Sequence, residues 1–289
     1  MCRLFVFCGT GSHSKSDLLS NLNPLVDSWR KATERDETFI KYRNVSCHDD
    51  GYGTFQYFKT ENNKEHISVN KSSIPAFREN HTVNLEYDSI NDFVGLFHAR
   101  KASPGMPLKL AQNHPLIDEN GDMIVAHNGT IDKNIVFSLL DIKPKNIDHL
   151  SDTQLFFLLA KQVFDDKSST DKNQLFEEWK LLISKLKALH VEQNLRYSMN
   201  IILLLKDVQH DTFDLFYSSL YSDPRGKEYF DFYLANNNNN FLICSSTIMD
   251  FFEKDYPTNK MDWKVQTLPN NAIGLISLQS FDKLELTLQ

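Results

Sequence analysis

The sequence of 289 residues has few cysteines and no long apolar run. Its four cysteines, Cys2, Cys8, Cys47 and Cys244, are scattered without a Cys-x-x-Cys pair or a regular spacing. This pattern argues against a disulfide framework and against a zinc site. No apolar stretch has the length that is needed to cross a bilayer, and no basic leader precedes an apolar region of signal-peptide length. We therefore expect a cytoplasmic protein that has no membrane partner.

Positive charge is also scarce, because 31 Lys and Arg stand against 38 Asp and Glu, for a net charge of −7. Without a basic cluster, nucleic acid is not expected as a partner. Asp118, Asn120 and Asp122 resemble the start of a calcium loop, but Met123 and Gly129 stand where that loop needs Gly and Glu. We expect neither a metal nor an organic cofactor.

The order of apolar segments indicates the fold class. Strands come first, two adjacent central helices follow, and strands return in the last third. This order predicts a mixed α/β (α+β) protein in which two packed, mainly antiparallel sheets have helices outside. The predicted single domain covers residues 2–289, with the polar motifs in 2–153 and a strand-rich completion in 197–289 that ends in a strand at 283–288.

The chain begins Met1-Cys2-Arg3-Leu4. Methionine aminopeptidases remove Met1 when the next side chain is small, and the mature chain then starts with a residue that has both a thiol and an α-amine. The thiolate is the reactive form of sulfur, and an α-amine titrates near pH 8, about two units below a lysine. Such a residue can serve as a nucleophile that uses its own amine as proton acceptor. The alternative is an ordinary second-position cysteine on an edge strand.

Two further polar elements follow predicted strands. Arg100 ends an apolar strand, and Arg grips a carboxylate through two parallel hydrogen bonds. Asn128-Gly129 comes directly after another strand, and an amide donor beside a backbone N–H can stabilise an oxyanion. Loss of one such donor costs about 3–4 kcal/mol in a well-studied protease. The alternatives are an exposed arginine and a tight Asn-Gly turn.

The remaining candidates are one acid and three histidines. Ser151-Asp152 is typical of a helix start, although Asp152 could instead receive a substrate ammonium. His98, His114 and His127 are candidates for proton transfer. Each of the three is more often a loop or core histidine whose ring is satisfied by backbone hydrogen bonds.

Taken together, these motifs resemble a known family in their order and approximate spacing. The chain is similar to class II glutamine amidotransferases, which are N-terminal-nucleophile hydrolases with a four-layer α/β/β/α fold. It most resembles the stand-alone branch, which includes bacterial proteins assigned as glutamine amidotransferases and the amidotransferase-like subunit of the yeast glutathione-degrading complex. The segments that carry the resemblance are Met1-Cys2-Arg3-Leu4, His48-Asp49-Asp50-Gly51-Tyr52-Gly53, Phe97-His98-Ala99-Arg100, Asn113-His114-Pro115, His127-Asn128-Gly129 and Ser151-Asp152-Thr153.

The resemblance implies a reaction and a role for each matching residue. Cys2 attacks the γ-carbonyl of glutamine or of a γ-glutamyl compound, and a γ-glutamyl thioester forms and is hydrolysed. The implied roles are Cys2 as nucleophile, Asn128 and Gly129 as oxyanion hole, Arg100 as the grip on the α-carboxylate, Asp152 as the acceptor of the α-ammonium, and Gly53, His114 and Ser103 as further substrate-site residues.

The chain departs from the family at the substrate pocket. Lys101 stands where many synthase-linked members have Trp, and Ser103-Pro104-Gly105 replaces a Thr-His-Gly pattern. One alternative is therefore a hydrolase of glutathione-like γ-glutamyl peptides that works with a separate, peptidase-like partner subunit. Another alternative is an inactive scaffold or regulatory subunit with the same fold.

Overall fold

The computed structural model describes residues 2–81, 83, 85–103, 108–164, 171–207, 209–210, 212–237, 240–257 and 263–277. The chain divides into two compact units: a first unit of Met1–Pro115 and Arg225–Pro269, and a second unit of Leu116–Pro224 and Asn270–Gln289. The predicted single domain over 2–289 stays a prediction. The predicted strand at 283–288 lies outside the described residues.

The first unit is built on a seven-stranded antiparallel sheet in the order β11-β9-β10-β1-β4-β2-β3. The N-terminal strand β1 thus lies inside the sheet, between β10 and β4. The strands are β1 (Cys2–Ser14), β2 (Tyr52–Thr60), β3 (Glu65–Ser72), β4 (Ser89–Arg100), β9 (Phe232–Asn237), β10 (Asn240–Ser245) and β11 (Lys264–Thr267).

Helices cover one face of this sheet. The helices of the first unit are α1 (Lys15–Glu34), α2 (Glu37–Arg43), α6 (Lys227–Phe230) and α7 (Ser246–Asp255). The hydroxyl of Ser14 accepts from the Asp17 backbone N–H and caps α1. Its apolar stripe packs with Phe5 and Phe7 of β1 in one core. Because side chains alternate along a strand, Cys2 projects from the other face.

The second unit has a five-stranded antiparallel sheet in the order β12-β8-β7-β6-β5. Its elements are β5 (Leu116–Ile117), β6 (Met123–Thr130), α3 (Lys133–Leu139), α4 (Asp152–Phe164), α5 (Lys172–Glu192), β7 (Ser198–Asp207), β8 (Thr212–Ser219) and β12 (Ala272–Ser277). The three helices pack on one face of this sheet around the buried Trp179. Ser151 and Gln154 exchange hydrogen bonds at the start of α4, as a capping box does.

These elements confirm the predicted class, because the protein is a mixed α/β chain with two antiparallel sheets and helices. Tyr229 lies in α6, and the next strand, β9, starts at Phe232. No helix among the described residues combines the length and the apolar character of a membrane-crossing segment.

Candidate functional site

Cys2 is the first residue of β1 and is 6% exposed. Its partner across the β1–β4 ladder is Arg100, so the two side chains leave the same face with Cβ atoms about 5 Å apart. The hydroxyl of Tyr229 donates to the Cys2 carbonyl at 3.2 Å. The strand and this hydrogen bond together fix the backbone that carries the thiol.

Two buried histidines lie beside the thiol. His98 is two residues before Arg100 on β4 and therefore shares its face. The Cys2 thiol is hydrogen bonded to the His98 ring, and His98 Nε2 is 3.0 Å from His114 Nδ1. His98 is 0% and His114 6% exposed. The His98 ring thus neighbours both the Cys2 thiol and the His114 ring, and all three groups are buried.

The electrostatic setting favours the thiolate of Cys2. Burial by itself raises the pKa of this thiol. The positive charge and hydrogen bond of His98, the α-ammonium of the chain that retains Met1, and a hydrogen bond from the Lys101 backbone outweigh burial and lower the pKa to about 5. By contrast, burial raises the pKa of the Cys8 and Cys244 thiols. Burial and the charge of Asp49 also raise the pKa of the Cys47 thiol, so among the cysteines of this unit Cys2 is the one whose surroundings favour the thiolate.

The loop after β4 is held by charged contacts. Arg100 is buried, and its Nη2 donates to Gln112 Oε1 at 3.0 Å. Next in the chain, Lys101 Nζ contacts Asp49 Oδ1 at 2.5 Å, and the Ala102 backbone N–H donates to the Asp50 carboxylate at 2.8 Å. The segment that contains Asp49 and Asp50 is thereby tied to the end of β4.

Gly53 and Ser103 occupy different surroundings. A Cβ on Gly53 would lie 2.3 Å from the His114 carbonyl oxygen, so only glycine allows the His114 backbone to approach β2. The same residue pairs with His98 across the β2–β4 ladder. Gly53 therefore sets the position of both histidines. Ser103 is exposed at the end of the described segment that follows Arg100.

A buried ionic network anchors β1 from its helix-covered face. Arg3 Nε contacts Asp36 Oδ2 at 2.5 Å, and Arg3 Nη1 donates to the Tyr229 carbonyl at 2.9 Å. His48 Nε2 lies 2.8 Å from the same Asp36 oxygen. Burial by itself raises the pKa of the Asp36 carboxyl, but Arg3 and His48 hold that pKa well below its usual range. This network fixes the residue that follows Cys2.

The other candidates belong to the second unit. Asn128 on β6 is fully buried and pairs with the equally buried Asn200 on β7. A Cβ on Gly129 would lie 1.9 Å from the Ser198 carbonyl oxygen, so glycine is required there. Asp152 Oδ2 accepts from the Ile131 backbone N–H at 3.1 Å.

The roles predicted for Asn128, Gly129 and Asp152 stay predictions. The third candidate histidine, His127, also lies in the second unit. Its ring contacts Thr153 Oγ1 and the Ser198 carbonyl at 3.0 and 2.9 Å, which is the ordinary environment of a core histidine.

Within the first unit, the structure brings four of the predicted residues together: Cys2, Arg100, His114 and Gly53. Sequence reasoning did not connect His98 with Cys2, and it missed Arg3 and Asp36 altogether. The ending of a buried strand in His98-Ala99-Arg100 was the one available signal for His98, because alternate residues of a strand share a face.

Comparisons with known proteins give remote likenesses to solved structures. No family model matches the chain, and no curated protein matches it. Among solved structures, the chain is similar to the predicted glutamine amidotransferase from Pseudomonas aeruginosa PA01, at 14% sequence identity and a TM-score of 0.37, over 97% of this chain and 95% of that one. A likeness this remote supports no statement about activity, so the function has to be argued from the site.

Proposed function

We propose that the chain is an N-terminal cysteine amidohydrolase of the glutamine amidotransferase type, acting on the γ-amide of glutamine or of a γ-glutamyl compound. The observation that carries the proposal is the placement of Cys2. Its thiol has a pKa lowered to about 5, it stands at the start of a central strand, and a buried Arg100 faces it across the ladder. A thiolate beside a guanidinium suits a substrate that carries a carboxylate near its scissile amide.

The proposed reaction has two steps. The Cys2 thiolate attacks the γ-carbonyl carbon, a C–S bond forms, and the carbonyl electron pair moves onto oxygen, where Asn128 and the Gly129 N–H would hold it. The C–N bond then breaks as the leaving nitrogen takes a proton from the α-ammonium that removal of Met1 exposes. Water next attacks the thioester, which releases glutamate and restores the thiol.

In this proposal, the two charged ends of the substrate are bound separately. Arg100 takes the α-carboxylate through its planar guanidinium. By the family resemblance, Asp152 is the expected acceptor of the α-ammonium, and Gly53, Ser103 and His114 are the other expected substrate-site residues. The reaction as proposed calls for no metal and no organic cofactor.

A second candidate substrate is favoured by Lys101. This ammonium follows Arg100 directly and is held by Asp49. Many synthase-linked members of the family have Trp at that place, and this departure leaves a γ-glutamyl peptide open as the substrate. A separate peptidase-like subunit would then process the released dipeptide.

The test compares hydrolysis of glutamine and γ-glutamyl-Cys-Gly by the purified chain. The Cys2→Ala variant is expected to lose all turnover, while Cys47→Ala, which removes a half-buried thiol that is hydrogen bonded to Asp49, retains it. A diazo-ketone analogue of glutamine should add one adduct to the Cys2 peptide. If a protein from which Met1 has been removed shows neither turnover nor an adduct, the chain is an inactive scaffold or regulatory subunit instead of an enzyme.

A further inference from the structure

We propose that the outer strand β3 pairs with β3 of a second copy of this chain, antiparallel and around a two-fold axis at Ser68. Two seven-stranded sheets then join edge to edge, in an isologous contact where one surface patch meets itself. This interaction surface goes beyond the proposed function and does not depend on it.

Strand β3 forms one edge of its sheet. It pairs with β2 along its whole length, and no other strand of the described residues pairs with its outer side. Its four middle residues, 67–70, are exposed. An edge strand presents a row of unpaired backbone groups, which proteins usually protect with shortness, prolines or bulges. Since β3 has eight residues, no proline and an unbroken register with β2, its edge is open to another strand.

The backbone of β3 alternates between its two sides. The carbonyl oxygen of Asn70 lies 3.3 Å from the site of a Gly53 Cβ on β2, and the carbonyl oxygen of Ser72 approaches Gly51 in the same way. The even-numbered residues thus direct their polar groups toward β2, and their neighbours direct theirs the other way. The residues whose N–H and C=O groups lie at the open edge are Glu65, Ile67, Val69 and Lys71.

The side chains of these four residues complement one another in one register. With Ser68 opposite Ser68 of the second copy, Glu65 faces Lys71 and Ile67 faces Val69, each twice by symmetry. Opposite charges and apolar β-branched residues that lie directly opposite each other stabilise a sheet. A shift by two residues would put Glu65 opposite Val69, or Lys71 opposite Ile67. The sequence of β3 therefore selects a single antiparallel register.

The surroundings of the four side chains suit such a partner. Ile67 and Val69 are 45% and 46% exposed, and a second strand would cover them. Burial lowers the pKa of the Lys71 ammonium, and no carboxylate of the described residues offsets this effect. Glu65 of the second copy would supply the opposite charge. Its carboxylate accepts from the Tyr57 hydroxyl at 3.0 Å and has further lone pairs for an ammonium.

The size of the contact sets the expected affinity. In this register, the residues at the open edge form four pairs that exchange about eight backbone hydrogen bonds. One pair of short strands nevertheless buries less surface than a standard protein interface. We therefore expect a reversible dimer with a Kd of about 1–100 µM.

Sedimentation velocity of the full chain at about 1–500 µM measures this equilibrium. Lys71→Glu places like charges opposite each other at two positions and should raise Kd at least about 10-fold, and Glu65→Lys should do the same. Lys264→Glu is the matched control. It makes the same charge change on an exposed residue of β11, the opposite edge of the sheet, and should leave Kd unchanged.

An equimolar mixture of the two charge variants tests the register itself. Each variant repels its own copies, but Lys71→Glu paired with Glu65→Lys places opposite charges together at both positions. The mixture should therefore recover a Kd within about 3-fold of the parent value. Val69→Pro provides a variant without a charge change. It removes an N–H from the open edge, leaves the hydrogen bonds to β2 in place, and should abolish the dimer.

Two results would overturn the proposal. One is a parent chain that stays monomeric over the whole range, which would leave the edge to a strand of a different protein. The other is a dimer whose Kd does not change in Val69→Pro and in the charge variants that fold, because the contact then lies elsewhere. No substrate is involved, so a chain without γ-glutamyl hydrolysis can still form this dimer.

Discussion

The buried pair of Arg3 and Asp36 gives the sharpest stability prediction. Both side chains are 0% exposed and meet at 2.5 Å. Asp36 also accepts from Thr247 Oγ1 at 2.8 Å and from the Phe39 backbone N–H at 3.0 Å, where it caps α2. The change Asp36→Asn keeps the size of the side chain and removes its charge, so that the Arg3 guanidinium is left in the interior without a counter-ion.

The expected cost follows from this burial. Removal of one partner of a buried ion pair destabilises a protein by about 3–5 kcal/mol, because the remaining charge stays desolvated. The neighbouring Glu37 provides the control. It pairs with Arg35 at the surface, where the two side chains are 59% and 70% exposed, so Glu37→Gln should cost at most about 1 kcal/mol.

Equilibrium urea unfolding of the parent, Asp36→Asn and Glu37→Gln measures the difference directly, provided that the slopes agree. A loss of less than about 1 kcal/mol in Asp36→Asn, equal to that of the control, would refute the reasoning. It would mean that solvent or rearrangement compensates the Arg3 charge, and that the network does not anchor β1.

Three other outcomes are expected. Gly53→Ala should lower the free energy of unfolding, measured in urea, by about 1–3 kcal/mol, since its Cβ would lie 2.3 Å from a backbone oxygen. Gly9→Ala, whose Cβ would meet only side-chain atoms, the nearest at 3.0 Å, should lose less than half as much. Burial and the nearby positive charges lower the pKa of His48 to about 4, although the hydrogen bond to Asp36 by itself raises that pKa. The unfolded state therefore binds its proton first as pH falls, and the parent should lose about 3 kcal/mol more than His48→Gln between pH 6.5 and 4. An equal loss in both proteins contradicts the assignment. Arg100→Lys should raise KM for glutamine about 10- to 100-fold with little change in kcat, because a single ammonium replaces a guanidinium that can donate two hydrogen bonds to a carboxylate. If steady-state kinetics show an effect on kcat alone, Arg100 does not bind the substrate carboxylate.

Much of the fold was predictable because its signals are local. The Ser151-Asp152 pair predicted the start of α4, as the hydrogen bonds between Ser151 and Gln154 confirm. The sequence also predicted correctly that Arg100 ends a strand. In each case, the physical cause lies within a few residues of the feature.

The parts that escaped prediction depend on long-range register. Nothing near Arg3 in the sequence indicates that its partner is Asp36 or that its guanidinium meets the Tyr229 carbonyl. His98 resembled any core histidine until the ladder placed it diagonally to Cys2. A side-chain pair across strands is determined by how the whole sheet aligns, which a single sequence does not reveal.

The interior position of β1 has a consequence for synthesis. One flank of this first strand pairs with β10, where Phe5 is aligned with Cys244. The ribosome must therefore release nearly the entire polypeptide before the opening residues gain their second neighbour, and such distant pairing slows folding. Until then, the N-terminus stays accessible to processing enzymes, so removal of Met1 can precede the pairing of β1 with β10.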